Sequence, residues 1–150
     1  MKLEDEIKQK TFSSPYQKLI LNVFVTSSWF GSESTRVLKP HKITLQQYNV
    51  LRILRGQQGK PASVGLIQER MLDKNSNASR LIDKLVIKKL VDRKTCLSDR
   101  RQMDIKITQK GLDLLSELDA PMLMQDKEMA SRLTAEEARI VSDILDRIRG

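Results

Sequence analysis

The side chains best placed for chemistry in this sequence are short polar and cationic groups gathered in one stretch. Ser76, Asn77, Ser79 and Arg80 stand close together, with Lys84 a few residues on. In the first two turns of a helix, such side chains are short or forked enough to reach base edges and phosphates in the major groove of a duplex. Asn77 offers the donor and acceptor pair that matches adenine. Arg80 offers the fork that matches guanine, or holds a phosphate, and Lys84 is suited to the phosphate backbone. Ser76 and Asn77 are also types that begin helices for purely local reasons, and that reading stays open.

The charge around them points the same way. Residues 74–110 hold eleven basic and four acidic side chains, an excess of seven, in a chain whose whole net charge is +8. A field of one sign confined to a quarter of the chain suits a polyanion; a solvated face that aids solubility is the alternative. Lys88, Lys89, Arg93 and Lys94 lie in this stretch. They are expected to set general phosphate affinity or to do nothing sequence-specific.

Other chemistries find little support. There is one histidine, His41, and one cysteine, Cys96, so neither a zinc cluster nor an internal disulfide can be built. Without a glycine-rich phosphate loop or metal spacing, no enzyme and no cofactor is expected. At 150 residues the chain has the length of one domain. No apolar run approaches the roughly 18 residues of a membrane span. Met1-Lys2-Leu3-Glu4-Asp5-Glu6 lacks the basic-then-apolar order of a secretory signal, so the cytoplasm is the expected compartment.

The elements that must position these groups can be read from caps and periodicity. Ser13-Ser14-Pro15 opens a helix carrying Tyr16, Leu19, Ile20, Val23 and Phe24 at helical spacing, loosened at Gly31 and ended by Lys39-Pro40. Thr44 and Gln47 form a capping box for a helix over about 45–55, and the run from Gly56 to Pro61 is a loop. Ser63 opens a short helix to about Met71. After a turn at Asp73-Lys74-Asn75, a second runs from about Ser76 to Lys89, with its cap assigned to Asn75 or Asp73. Leu90 to Leu97 reads as a strand, and Met103, Ile105 and Ile107 alternate with polar residues as its partner. Thr108 caps a helix that stops before Pro121, helical character resumes from Met122 to Arg132, and Thr134 with Glu137 boxes the last helix. Two short helices joined by a turn and followed by a hairpin have the outline of a winged helix-turn-helix.

Three segments then resemble the MarR family of transcriptional regulators. Ile43 to Leu54 is similar to the family's entry to its second helix, and Asp73 to Leu85 to its recognition helix. Asp99-Arg100-Arg101, running on to Ile105-Lys106-Ile107-Thr108-Gln109-Lys110-Gly111, is similar to its wing and exit. The resemblance implies a mainly α fold with a small β-hairpin wing, the DNA-binding region spanning 43–111 and dimerisation helices 1–42 and 112–150. It also implies a homodimer on a pseudo-palindromic double-stranded DNA site. By the family's Asp-x-Arg pattern Arg101 enters the minor groove, Asp99 braces it, and Arg100 adds charge on phosphate; an exposed turn with a weak ion pair is the plain alternative.

The same resemblance implies a small aromatic or phenolic ligand between the dimerisation helices and the winged region. Trp29, Phe30, Arg36 and His41 are the candidates for lining such a cleft, against an ordinary core or interface role. Cys96 falls in the wing, either as a small packed hydrophobe or as a thiol made reactive by nearby cations. A winged module that binds protein or unspecific nucleic acid remains the competing function. The polar first turn of the second short helix argues against it.

Overall fold

A computed structural model describes residues 1–96 and 102–150. A four-residue helix, α1 (Leu3–Glu6), which the sequence reading did not foresee, docks through its buried Leu3. Helix α2 (Pro15–Leu38) is capped by Ser14, whose hydroxyl accepts from the Gln17 amide at 3.1 Å. Gly31 does not interrupt it. Pro40 ends it through one 3₁₀ turn (Lys39–His41), closed by Lys42 in the left-handed region at φ 56°.

The winged segment follows. It comprises α3 (Leu45–Arg55), α4 (Val64–Arg70), α5 (Ala78–Ile87) and the antiparallel strands β1 (Val91–Thr95) and β2 (Met103–Ile107). The predicted capping box of α3 is present, with Thr44 and Gln47 each bonded to the other's backbone. Ala62, between the Gly56–Pro61 loop and the cap of α4, pairs with Ile105 through two 2.9 Å backbone bonds and so anchors β2 from outside.

Two long helices complete the chain, α6 (Gln109–Arg132) and α7 (Ala135–Arg149). The break expected at Pro121 does not occur, since α6 runs through it. Pro121 and Glu117, the residue whose carbonyl loses its partner, are both exposed. Water can take that carbonyl, while buried Leu115 and Leu118 hold the helix on the core.

The core lies where α3, α4, α5, the hairpin and α6 converge. Leu51, Ile67, Ile82, Leu85, Ile105 and Leu115 are fully buried there, each side chain contributing about 1.5–3 kcal/mol relative to exposure. Helix α7 buries no residue, although Ile140, Val141, Ile144 and Ile148 recur along it; Tyr16, Ile20 and Phe24 of α2 are exposed as well. Among the described residues no helix is long and apolar enough to cross a membrane.

Candidate nucleic-acid interface

Helix α5 presents a face because its other side is locked. Ala78, Ile82 and Leu85 are buried, while Asn77, Ser79, Arg80 and Lys84 are exposed. The cap is neither Asn75 nor Asp73. Asn77 takes it, its Oδ1 accepting from the Arg80 amide at 3.0 Å. Asp73 instead holds the turn ahead of the helix, its carboxylate accepting from the Asn75 amide and its carbonyl from the Ser76 amide, at 3.0 and 3.1 Å. With Asn77 at the boundary, α5 starts two residues later than the sequence suggested. Ser76 sits outside it, half-buried, with its Oγ enclosed and unpartnered.

Two residues that the sequence reading passed over hold this turn. Gln68 of α4 accepts from the Ala78 amide at 3.0 Å and donates to the Lys74 carbonyl at 3.3 Å, and Asn49 of α3 accepts from the Leu72 amide at 2.9 Å. Each satisfies a backbone group that the turn leaves without a helical partner. The available signal was a polar side chain near the inner edge of an amphipathic helix, which is too common to single out.

The far end of α5 is fastened more heavily than the sequence implied. Lys89 turns left-handed at φ 59°, and the Leu90 and Lys89 amides donate back to the Leu85 and Val86 carbonyls at 3.0 and 2.9 Å, closing the helix as a Schellman motif. Lys88, grouped by sequence with the phosphate-binding candidates, instead donates through Nζ to the Lys42 carbonyl and to Gln47 Oε1. Lys110 donates to the Lys88 carbonyl at 3.0 Å, and Thr108, the cap of α6, to the Lys89 carbonyl at 2.9 Å. A Cβ on Gly111 would lie 2.4 Å from the Leu90 carbonyl oxygen. Only glycine lets α6 approach the strand so closely.

In the hairpin, Arg93 pairs with Asp83 of α5, while Lys94 and Lys89 are exposed. Asp99, Arg100 and Arg101 lie outside the described residues. Cys96 is half-buried, and its amide donates to the Gln102 carbonyl at 3.0 Å.

The four candidates for a ligand cleft do not meet in one place. Trp29 and Phe30 stack edge to face at 4.8 Å, with Arg132 over the Trp29 ring at 5.5 Å, beside a cavity of about 440 Å3 bounded by α1, α2 and the end of α6. Arg36 pairs with Glu33 and faces a separate groove leading to the start of α3. His41 lies 3.9 Å from Glu117 in a third cavity, with Lys88 and Lys110. Among the described residues no cluster of side chains fit to hold a metal ion occurs.

The family model described as MarR matches residues 43–103, from the entry to α3 through the start of β2. Over that segment the chain is similar to the MarR family. A curated relative, the HTH-type transcriptional regulator MhqR of Bacillus subtilis (strain 168), is 29% identical over 108 residues, covering 72% of this chain and 73% of its own. The solved MarR transcription factor of Planctomyces limnophilus is 26% identical with a TM-score of 0.68, covering 91% of this chain and 98% of its own. A third similar structure is BpsR of Bordetella bronchiseptica, whose DNA binding is regulated by 6-hydroxynicotinic acid. It has a TM-score of 0.76 at 17% identity, covering 89% of this chain and 99% of its own, and so speaks to the fold alone. The named relatives are transcriptional regulators, and the order of helices and hairpin in this chain is that of a winged helix-turn-helix.

Proposed function

We propose that the chain binds a pseudo-palindromic duplex as a homodimer, each copy laying α5 in a major groove and its wing in the adjacent minor groove. The observation that carries this reading is the outward row of Asn77, Ser79, Arg80 and Lys84 on a helix whose opposite side is immobilised in the core. Ser79 and Arg80 are the base-reading candidates, and Asn77 keeps its amide NH2 for the same use. Lys84, Lys89 and Lys94 contact phosphate. Ser76, just ahead of the cap, reaches the duplex only through its backbone. At the wing tip Arg101 enters the minor groove, braced by Asp99, with Arg100 on phosphate.

The uncovered apolar residues of α2 and α7 support the homodimer, because a stripe of this size left in water is a docking surface. They give 1–42 and 112–150 their role as dimerisation segments. A two-fold protein then demands half-sites separated by about one helical turn. A small aromatic acid or phenol releases the duplex; the regulation of BpsR by 6-hydroxynicotinic acid is the precedent for control of DNA binding by an aromatic acid. The cavity beside Trp29, Phe30 and Arg132 is the best suited to it, having stacked rings and a guanidinium together.

The test is selection from a pool of random duplexes on the purified protein, followed by light scattering of the complex. Two enriched half-sites in inverted repeat and a complex of two chains are expected, with enrichment lost when the aromatic acid is added. Recovery of unrelated sequences by a single chain would reject the reading in favour of an unspecific or protein-binding module.

A further inference from the structure

Arg93 of β1 stands opposite Ile105 of β2 in the antiparallel register. Opposed residues in a ladder point to the same side of the sheet, and alternate residues along a strand share a side. Ile105 is fully buried, and so is Val91, two residues before Arg93. Arg93 therefore projects from the side of the hairpin that packs on the helices. Asp92 and Lys94 belong to the other side. On the inner side the Arg93 guanidinium donates to Asp83 Oδ1 of α5.

The charges around this pair make its purpose specific. On the outer side of the hairpin, Asp92 stands opposite Lys106 and Lys94 opposite Asp104, so the two described strands carry balanced charge there. Asp83 follows Arg80 and precedes Lys84 on α5. A bare carboxylate in that row would repel phosphate, and its partner Arg93 accounts for its presence. At the same register the hairpin is held from its other edge by the Ala62 pairing with Ile105. The wing is thus clamped at one level by two contacts, one to the backbone of β2 and one to α5.

We propose that the Asp83–Arg93 pair is a strut setting the angle between recognition helix and wing. Arg93 serves that geometry and not phosphate binding, and Asp83 is a positioning residue that acts through it. The inference rests on the duplex-binding reading above. Helix and wing must enter neighbouring grooves at once, so a wing free to tilt keeps its charge but loses its fit. The strut governs discrimination between sequences, with little effect on general affinity.

Affinity for the duplex selected on wild-type protein, and for a scrambled duplex, is measured against salt for wild type, Arg93→Gln, Asp83→Asn and the double variant. Arg93→Gln leaves the slope of log K against log salt within about 0.3 of wild type, where a lost phosphate contact would lower it by about 0.9. Each single variant lowers the selected-to-scrambled ratio about fivefold, and the double variant is no worse than either. A slope reduced by about 0.9 in Arg93→Gln overturns the strut. So does an Asp83→Asn variant that tightens both duplexes equally, since its carboxylate would then merely have repelled DNA. Asp83→Asn keeps every basic group and decides the matter alone should Arg93→Gln fold poorly. If selection enriches nothing, the duplex reading itself falls; if it enriches a sequence and the ratio stays unmoved, only the strut does.

Discussion

The guanidinium of Arg55 and the carboxylate of Asp119 face each other through two hydrogen bonds of 2.8 and 2.9 Å, joining the end of α3 to the middle of α6 across 64 residues of sequence. A forked donor on a planar acceptor fixes orientation as well as distance. The pair sets how the winged segment sits on the helix that leads to the proposed dimer contact.

That pair gives the fold a specific acid sensitivity. The hydrogen bond from Arg55 holds the Asp119 carboxyl below its ordinary range, partial burial opposing the effect only in part. A carboxylate so lowered contributes stability that is complete above the unfolded pKa of about 3.9 and disappears as pH falls through the folded value. Both side chains are partly exposed, so Asp119→Asn should cost only about 0.5–1 kcal/mol at neutral pH. Thermal melts should show the two proteins converging below about pH 4. A constant gap in Tm down to pH 2 would contradict the assignment.

Asn77 carries two roles that one pair of substitutions separates. Asn77→Ala removes the acceptor for the Arg80 amide and should lower stability by about 1 kcal/mol in urea unfolding. Asn77→Asp keeps the acceptor and the stability but places a negative charge at the proposed groove contact. Gel-shift titration should then show at least tenfold weaker duplex binding, about 1.4 kcal/mol, by a normally folded protein. Wild-type affinity in Asn77→Asp would remove this position from the interface.

Two lysines six residues apart should behave oppositely. Lys88 spends its ammonium on the Lys42 carbonyl and Gln47, whereas Lys94 is exposed on the outer side of the hairpin. Lys94→Gln should flatten the salt dependence of log K by about 0.9 without affecting folding. Lys88→Met should leave the slope alone and cost about 1–3 kcal/mol of stability, because it strips a partner from a carbonyl and from buried Gln47. The reverse pattern would mean that Lys88 swings out to the duplex on binding.

Local rules account for what was legible in the chain. The boxes at Thr44 with Gln47 and Thr134 with Glu137, and the alternation of Met103, Ile105 and Ile107, each depend on neighbours within a few residues, so α3, α7 and the hairpin could be read directly. Where several capping types stand in a row, as from Asp73 to Asn77, propensity could not choose among them; the Gln68 contacts to Lys74 and Ala78 help fix the geometry instead. Pro121 was read as a stop because the sequence does not show which carbonyls face water. The approach of Gly111 to Leu90, the Ala62 pairing and the Asp83–Arg93 contact all join distant positions or separate elements. Trp29, Phe30, Arg36 and His41 looked like one cleft, yet the turn of α2 and the following 3₁₀ segment distributes them over different grooves.

The apolar residues that nothing covers yield the sharpest test of assembly. Phe24 of α2 and Ile148 of α7 are 67% and 57% exposed in the single chain. Replacing either with a charged residue costs a lone subunit almost nothing, since water already reaches the site. In a homodimer built on these helices the same change buries an unpaired charge, a penalty of several kcal/mol that is felt twice because the interface is two-fold. Phe24→Glu combined with Ile148→Glu should give a folded monomer by light scattering, with unchanged helical content and more than a hundredfold loss of affinity for a two-half-site duplex. A variant that remains dimeric and binds as wild type would place the partner surface elsewhere on the chain.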